Sequence, residues 1–431
     1  MIRLDMFRTF RGGVHVPADK RTRDAAIEIL PRPNVVYIHL RQYDGSLANP
    51  VVGPGDPVRA GSVIAIANHE FGVPVHASID GRVREIADYP HPRFGTGLCC
   101  VIEAMEGELS AAAPDRIDHR DLSPEDLLKV IRSAGIVGLG GAGFPVWRKL
   151  APNKPVDTLI VNGCESEPMI TSDHRLMAEY PVGVVEGARI FQRIAGAARL
   201  IFAVGSNLKE VAAAVIREGG EVRQCSSKFP AGSERQLIKA VLDRTVPRGG
   251  LPSHVGCIVC NAATCYAGFQ AVTFGKPLIE RVVTVTGDGV AEPKNLLVPI
   301  GAQADDLIRG CGGYNGETGK IIFGGPMTGY AQPDDRTPLT RETSAVVVLQ
   351  KSAAIRELPC VRCGRCVDAC PMGLMPLDLY RLVDDGDIAG AEQRGLLDCL
   401  ECGGCAYGCP SRIPLVHMFR YGKAELGRVI T

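Results

Sequence analysis

The sequence predicts a multidomain α/β protein: four units, with one parallel-sheet core set among smaller β-rich and helical parts. Three observations predict it. Between 156 and about 275, strand-like runs (TLIVNG, RLIFAVG, CIVCNA) alternate with helical patterns, as expected of α/β layering with a largely parallel sheet. On either side, 34–107 and 280–350 break into short extended segments separated by Gly, Pro and Asp. The last stretch, 353–431, has helical patterns, two cysteine-rich turns and no strand pattern. The expected units are 1–110, 120–278, 279–350 and 351–431.

In the first unit, VVYIHL, SVIAIA, GRVREI and CCVIEA are the extended segments. GDPVRAGSVIAIA and ASIDGRVREIADY each set a Gly-containing turn before alternating apolar residues, which predicts a pseudo-symmetric flattened barrel. This arrangement resembles the barrel-sandwich hybrid of biotinyl and lipoyl carriers. No Lys stands at a hairpin tip, so a structural or docking role is expected rather than a swinging arm. The core unit opens with LSPEDLLKVIRSAG, where Ser123 and Asp126 are spaced to cap a helix whose apolar face is Leu127, Leu128 and Ile131. Further helical patterns are MAEYPVGVVEGARIFQRIAG, LKEVAAAVIREG and SERQLIKAVLDR. The third unit has RVVTVTGDGV, NLLVPIG and KIIFGG as β segments and one short helix at ADDLIRG.

The 431 residues balance 48 Lys+Arg against 48 Asp+Glu, which gives no electrostatic footprint for nucleic acid. No run of 18 apolar residues could span a bilayer. The N-terminal MIRLDMFRTFRGG has charges where a signal peptide needs an apolar segment, so the sixteen cysteines are expected in a reducing compartment. They need an explanation other than disulfides.

Half of them supply it. Cys360-x-x-Cys363-x-x-Cys366-x-x-x-Cys370-Pro371 recurs 39 residues later as Cys399-x-x-Cys402-x-x-Cys405-x-x-x-Cys409-Pro410. This is the repeat of two-cluster bacterial ferredoxins, in which the fourth cysteine of each run ligates the other cluster. The expected metal ligands are therefore Cys360, Cys363, Cys366 and Cys409 for one 4Fe-4S cluster, and Cys399, Cys402, Cys405 and Cys370 for the second. Structural zinc is the competing reading, but zinc normally takes two Cys pairs rather than two triplets each followed by a lone Cys-Pro. Of the remaining thiols, Cys257-x-x-Cys260 sits in a strand pattern and reads as core.

Gly135-Ile-Val-Gly138-Leu-Gly140-Gly141-Ala-Gly143-Phe144-Pro145 packs five glycines into nine positions. Such density lets backbone N–H groups approach phosphate, and Pro145 suits the start of a following helix. The loop matches neither G-x-G-x-x-G nor the P-loop spacing, and Gly313–Lys320 has the wrong interval for a P-loop. A second candidate is Thr158–Pro168, an apolar strand that ends in Asn162, Cys164, Glu165 and Glu167. Polar groups at the carboxyl end of a parallel strand stand where α/β sheets bind ligands. Two glutamates on a solvated loop are the bland alternative.

Taken in order, GGVH at 12–15, GIVGLGGAGFP at 135–145, VNGCESEP at 161–168, RVVTVTG at 281–287 and the double Cys motif resemble the C subunit of Rnf electron-transport complexes. That family is related to the NADH-oxidising, FMN-bearing subunit of respiratory complex I. The resemblance implies a Rossmann-like FMN/NADH-binding core, a β-grasp (SLBB) module over 279–350 and a ferredoxin-like helical tail. Position by position it implies phosphate contacts from Gly138, Gly140, Gly141, Gly143 and Lys149, with Phe144 as a stacking surface. Asn162 and Glu165 would meet the isoalloxazine edge and Glu167 the nucleotide ribose or carboxamide. Asn261 and Thr264 match a flavin-contacting Asn-x-x-Thr, and Glu234 an acidic residue of the NADH site. Two positions depart from the pattern: Cys164 replaces the Asp of complex I subunits, and Val146 the Thr that commonly follows Phe-Pro.

The resemblance thus implies an oxidoreductase that moves electrons between NAD(H), FMN and two 4Fe-4S clusters, since a flavin converts a two-electron hydride into single electrons. Its implied partners are the other Rnf subunits, notably the iron-sulfur B subunit and the membrane subunits, and through them ferredoxin. The implied location is peripheral, on the cytoplasmic face of the inner membrane. Within the same architecture, a soluble NADH-dependent reductase serving cobalamin or amino-acid reduction is the alternative. A non-enzymatic electron-transfer adaptor is the reading from a different class.

Overall fold

A four-stranded parallel sheet forms the centre of the computed structural model, which describes residues 8–42, 47–105, 116–141, 143–350 and 356–427. Its order is Glu221–Cys225, Arg199–Gly205, Thr158–Gly163, Cys257–Asn261. Alternate residues serve opposite faces. Leu159, Val161, Phe202, Val204 and Ile258 pack with helices Pro124–Ser133, Pro181–Ala195 and Ala262–Phe274. Ile160, Ile201, Ala203 and Val259 pack under helix Glu234–Leu242. Both faces are covered by helices, which is the condition a parallel sheet requires.

The helical pattern expected as one run at 177–196 divides. Ser172–Glu179 and Pro181–Ala195 are separate helices that meet at Tyr180. Proline disfavours the α conformation at the residue before it and suits the first turn of the helix it opens. The Ser123 cap forms as expected, its hydroxyl accepting from Asp126 N at 3.1 Å.

The N-terminal unit is a β sandwich of a four-stranded and a three-stranded sheet around Val36, Ile38, Ile64, Val75 and Ile102. Its longest hairpin, Gly81–His91 with Gly95–Ala104, reaches toward the central sheet. A six-stranded mixed sheet follows, ordered Ile27–Ile29, Lys294–Pro299, Glu280–Thr286, Ala345–Gln350, Thr318–Phe323, Tyr330–Gln332. The first strand of the described residues, Ile27–Ile29, is thus an edge of this sheet, paired parallel to Lys294–Pro299. Among the described residues, the last unit packs five short helices and a 3₁₀ turn around Leu379, Val383, Leu396, Leu415 and Phe419.

Before that first strand, residues 8–22 run as a strap across the other units. Arg8 bridges to Cys225 and Val14 to Phe229. Gly13 N donates to Ala369 O at 3.0 Å. Gly12 has φ +71°, and a Cβ there would stand 2.5 Å from the Cys370 carbonyl oxygen, so the position admits no side chain without displacing that turn. Thr22, Thr171, Thr284 and Asn295 then form a buried hydrogen-bonded knot. Among the described residues no helix is long and apolar enough to cross a membrane.

Candidate functional site: one cavity and two cysteine cages

At the carboxyl ends of the parallel strands lies a cavity of about 450 Å³. Gly140, Gly141, Asn162, Glu165, Glu167 and Asn261 line it, together with Asp173. Arg93 reaches it from the tip of the N-terminal hairpin, Thr343 from the six-stranded sheet's unit, and Glu401 and Cys402 from the helical unit. All four units therefore meet at one wall.

The Gly-rich segment is a tight hairpin. Val137 bridges to Pro145, Gly138 N donates to Phe144 O at 2.9 Å, and Gly143 N to Gly138 O at 3.1 Å. Thr264 Oγ1 accepts from Leu139 N at 2.9 Å, and the buried Arg281 guanidinium donates to Leu139 O at 3.2 Å. Thr264 therefore clamps the loop rather than lining the cavity. At the tip Gly141 has φ +98° and open space where a Cβ would stand, the condition a phosphate approaching backbone N–H groups needs. Beside it Asn261 caps the 13-residue helix Ala262–Phe274, accepting from Thr264 N at 3.3 Å. The Asn261 amide donates to Asp173 Oδ2 at 2.5 Å. Burial raises the Asp173 pKa to about 7, helped by neighbouring Glu165 and opposed by the Asn261 bond.

The acidic loop is held from several sides. Asn162 Nδ2 donates to Gly232 O at 2.7 Å, and its Oδ1 accepts from Cys164 N at 3.1 Å. The Glu165 carboxylate accepts from Asp173 N at 3.0 Å and His174 N at 3.3 Å, at the start of helix Ser172–Glu179, where negative charge is favoured. Glu167 accepts from Met327 N at 2.7 Å and Thr328 N at 3.2 Å, tying the loop to a turn of the six-stranded sheet's unit. Burial raises its pKa against those bonds.

Of the other candidates Cys164 reaches the cavity wall, and the rest lie off it. Gly138 and Gly143 close the hairpin, and Phe144 is 42% exposed. Lys149 and Glu234 form an ion pair at 2.5 Å; desolvation works against the lysine's charge, yet the Glu234 carboxylate holds its pKa above the ordinary range. Val146 is core. Cys164 packs with Ile160, Ala203 and Cys225, and contact with the Cys225 thiol together with burial pushes its own pKa up. Cys257 and Cys260 are buried strand residues.

The eight clustered cysteines line two further cavities. One is bounded by Cys399, Cys402, Cys405 and Cys370, the other by Cys360, Cys363, Cys366 and Cys409. Each triplet thus meets the lone cysteine of the other run. The thiols surround a space rather than converge on a point: among the described residues no three His, Cys, Asp or Glu could hold a single ion. Four thiolates around a cage is the donor set of a 4Fe-4S cluster. The open Gly141 tip, the helix N-terminus at Asn261 and the strand-end polar groups fit a flavin phosphate and ring in the same way.

Four family models match the chain in order: the RnfC barrel sandwich hybrid domain over 8–107, the Nuo51 FMN-binding domain over 131–268, the SLBB domain over 282–331 and a 4Fe-4S dicluster domain over 359–413. The chain is 42% identical to the C subunit of the proton-translocating ferredoxin:NAD(+) oxidoreductase complex of Clostridium ljungdahlii, over 97% of this chain and 94% of the relative. It is 36% identical to the C subunit of the Na(+)-translocating ferredoxin:NAD(+) oxidoreductase complex of Acetobacterium woodii, over 97% of each. It is also 36% identical to the C subunit of the ion-translocating oxidoreductase complex of Rhodobacter capsulatus, over 97% of this chain and 83% of the relative. Among solved structures, an air-oxidized NAD+-reducing NiFe-hydrogenase shares the fold, with a TM-score of 0.51 at 21% identity, over 70% of this chain and 62% of that chain.

Proposed function

The chain belongs to the C-subunit family of Rnf-type ion-translocating oxidoreductases, and from that premise we propose that it is the NADH-oxidising or NAD+-reducing module of a ferredoxin:NAD+ oxidoreductase complex. The observation that carries this reading is the shared wall: Cys402 lines both the Cys399 cage and the cavity of Gly141, Asn162 and Glu165. Bound FMN supplies exchange between a hydride and single electrons, and each 4Fe-4S cluster carries one electron at a time.

The chain's residues do the positioning. The Gly141 tip and the Asn261-capped helix end take the flavin phosphate, while Asn162 and Glu165 hold the strand end against the ring. The Cys399 cage stands at the cavity and the Cys360 cage, with Cys360 and Cys363 exposed, stands at the surface. That order makes the first the inner and the second the outer station of the relay. The outer station faces the partner subunits, an iron-sulfur B subunit and membrane subunits that connect to ferredoxin, and the chain sits peripherally on the cytoplasmic face of the membrane they span.

Anaerobic purification tests the reading. The protein should carry flavin absorbance that NADH bleaches, with clusters that NADH then reduces. Clusters that respond to dithionite and never to NADH would leave only an electron-transfer adaptor.

A further inference from the structure

The strap that precedes the N-terminal barrel lies outside the 131–268 FMN-domain match, yet it holds the acidic loop of the cavity. Lys20 donates from Nζ to the main-chain oxygens of Glu165 at 3.0 Å and Glu167 at 2.8 Å, and also to that of Ile170. Two residues earlier, Ala18 O accepts from Met169 N at 2.8 Å. Met169 has φ +68°, a left-handed conformation that is costly for a residue with a side chain and persists where its surroundings over-determine it. Four bonds from Ala18 and Lys20 thus fix the loop from 165 to 170.

This loop carries Glu165 and Glu167, whose carboxylates end on the helix Ser172–Glu179 and on the Met327–Thr328 turn. Both face the cavity beside Asp173. Acidic groups gathered in one space repel one another and any added anion as they ionise, unless a cation is near. Burial lowers the Lys20 pKa from its ordinary range, and the neighbouring Glu165, Glu167 and Asp173 hold it up against that. A half-buried ammonium with three carbonyl acceptors is a fixed point rather than a mobile surface charge.

We propose that Lys20 is a positioning residue of the flavin and nucleotide site: its three carbonyl bonds set the course of the Glu165–Ile170 loop, and its charge offsets the carboxylates that loop presents. The inference rests on the cavity reading above and assigns a working role to the strap.

The test uses the full-length, cluster-loaded protein with its flavin removed. FMN rebinding is followed by fluorescence quenching, alongside iron content, thermal unfolding and NADH kinetics. Lys20→Met should weaken FMN binding about tenfold or more. It should also raise KM for NADH more than it lowers kcat, with iron content unchanged. Lys20→Arg, which keeps charge and donors, should recover most of the affinity. Lys20→Gln, which keeps two donors without the charge, should fall between, and it decides by the same criteria if Lys20→Met does not fold. Parent FMN affinity in Lys20→Met or Lys20→Gln overturns the inference, as does a loss that Lys20→Arg shares in full. Asn162→Ala separates the two levels: if it too leaves FMN affinity unchanged, the cavity reading itself has failed.

Discussion

The two cysteine cages have the same spacing and the same backbone but opposite surroundings. Arg362 and Glu401 occupy equivalent positions with φ +54° and +53°, and each donates its N–H to the first cysteine's sulfur, at 3.3 and 3.4 Å. Gly364 and Gly403 follow with φ +75° and +77°. Around the Cys360 cage the turn is open, with Val361 67% exposed. Around the Cys399 cage, Glu401 pairs with Arg420 at 3.0 Å and with the buried Lys423 at 2.7 Å, and Lys423 also donates to Cys399 O at 2.7 Å. Burial pushes the Cys399 and Cys402 thiols up to about 12 and about 11. One local motif therefore builds both cages, and packing against the other units leaves one beside the cavity and the other at the surface, the inner and outer stations of the proposed relay.

The sharpest way to break this comparison is through the exchanged cysteines. Cys370→Ala should remove the inner cluster and Cys409→Ala the outer one, although each residue lies in the other's run. Iron and sulfide analysis with EPR would show it: half the iron lost in each case, from different signals. Loss of the cluster belonging to the same run would refute the cross-ligation.

A smaller effect sits beside the inner station. Asp173 is raised to about 7 by burial and by Glu165, against Asn261, Arg281 and Lys20, from an unperturbed value of 3.8. The folded chain thus holds a proton that the unfolded chain has released between those values. Its contribution to stability is complete below about pH 4 and is lost as pH rises toward 7, by up to roughly 1.4 kcal/mol per unit. Urea unfolding across this range should show a flatter profile for Asp173→Asn than for the parent. Identical slopes would mean that Asp173 is ionised throughout.

Much of this was legible in the sequence because its signals are local. Cysteine spacing names all eight cage residues, since three thiols on one turn and a fourth just before a Pro leave few arrangements. Alternating strand and helix patterns predict the parallel sheet, and the polar ending of Thr158–Pro168 marks the cavity. Lys20 gave no such signal: its acceptors are main-chain oxygens some 145 to 150 residues away. Asp173 lies ahead of the helical pattern that starts at Met177, and only the fold brings it to Asn261. Arg93 sits on a hairpin of the N-terminal unit, and Ile27–Ile29 is too short for periodicity to assign it to a sheet. The resemblance also pointed to Lys149, Glu234 and Phe144, which the structure sets off the cavity wall, and to Thr264, whose hydroxyl clamps the Gly-rich hairpin.

The order of the two stations is tested most directly by adding NADH to flavin-loaded Cys363→Ala and Cys402→Ala variants and recording EPR spectra. In Cys363→Ala the inner cluster should still be reduced by NADH. In Cys402→Ala the outer cluster should stay oxidised with NADH while remaining reducible by dithionite. Rapid NADH reduction of the outer cluster without the inner one would contradict the relay.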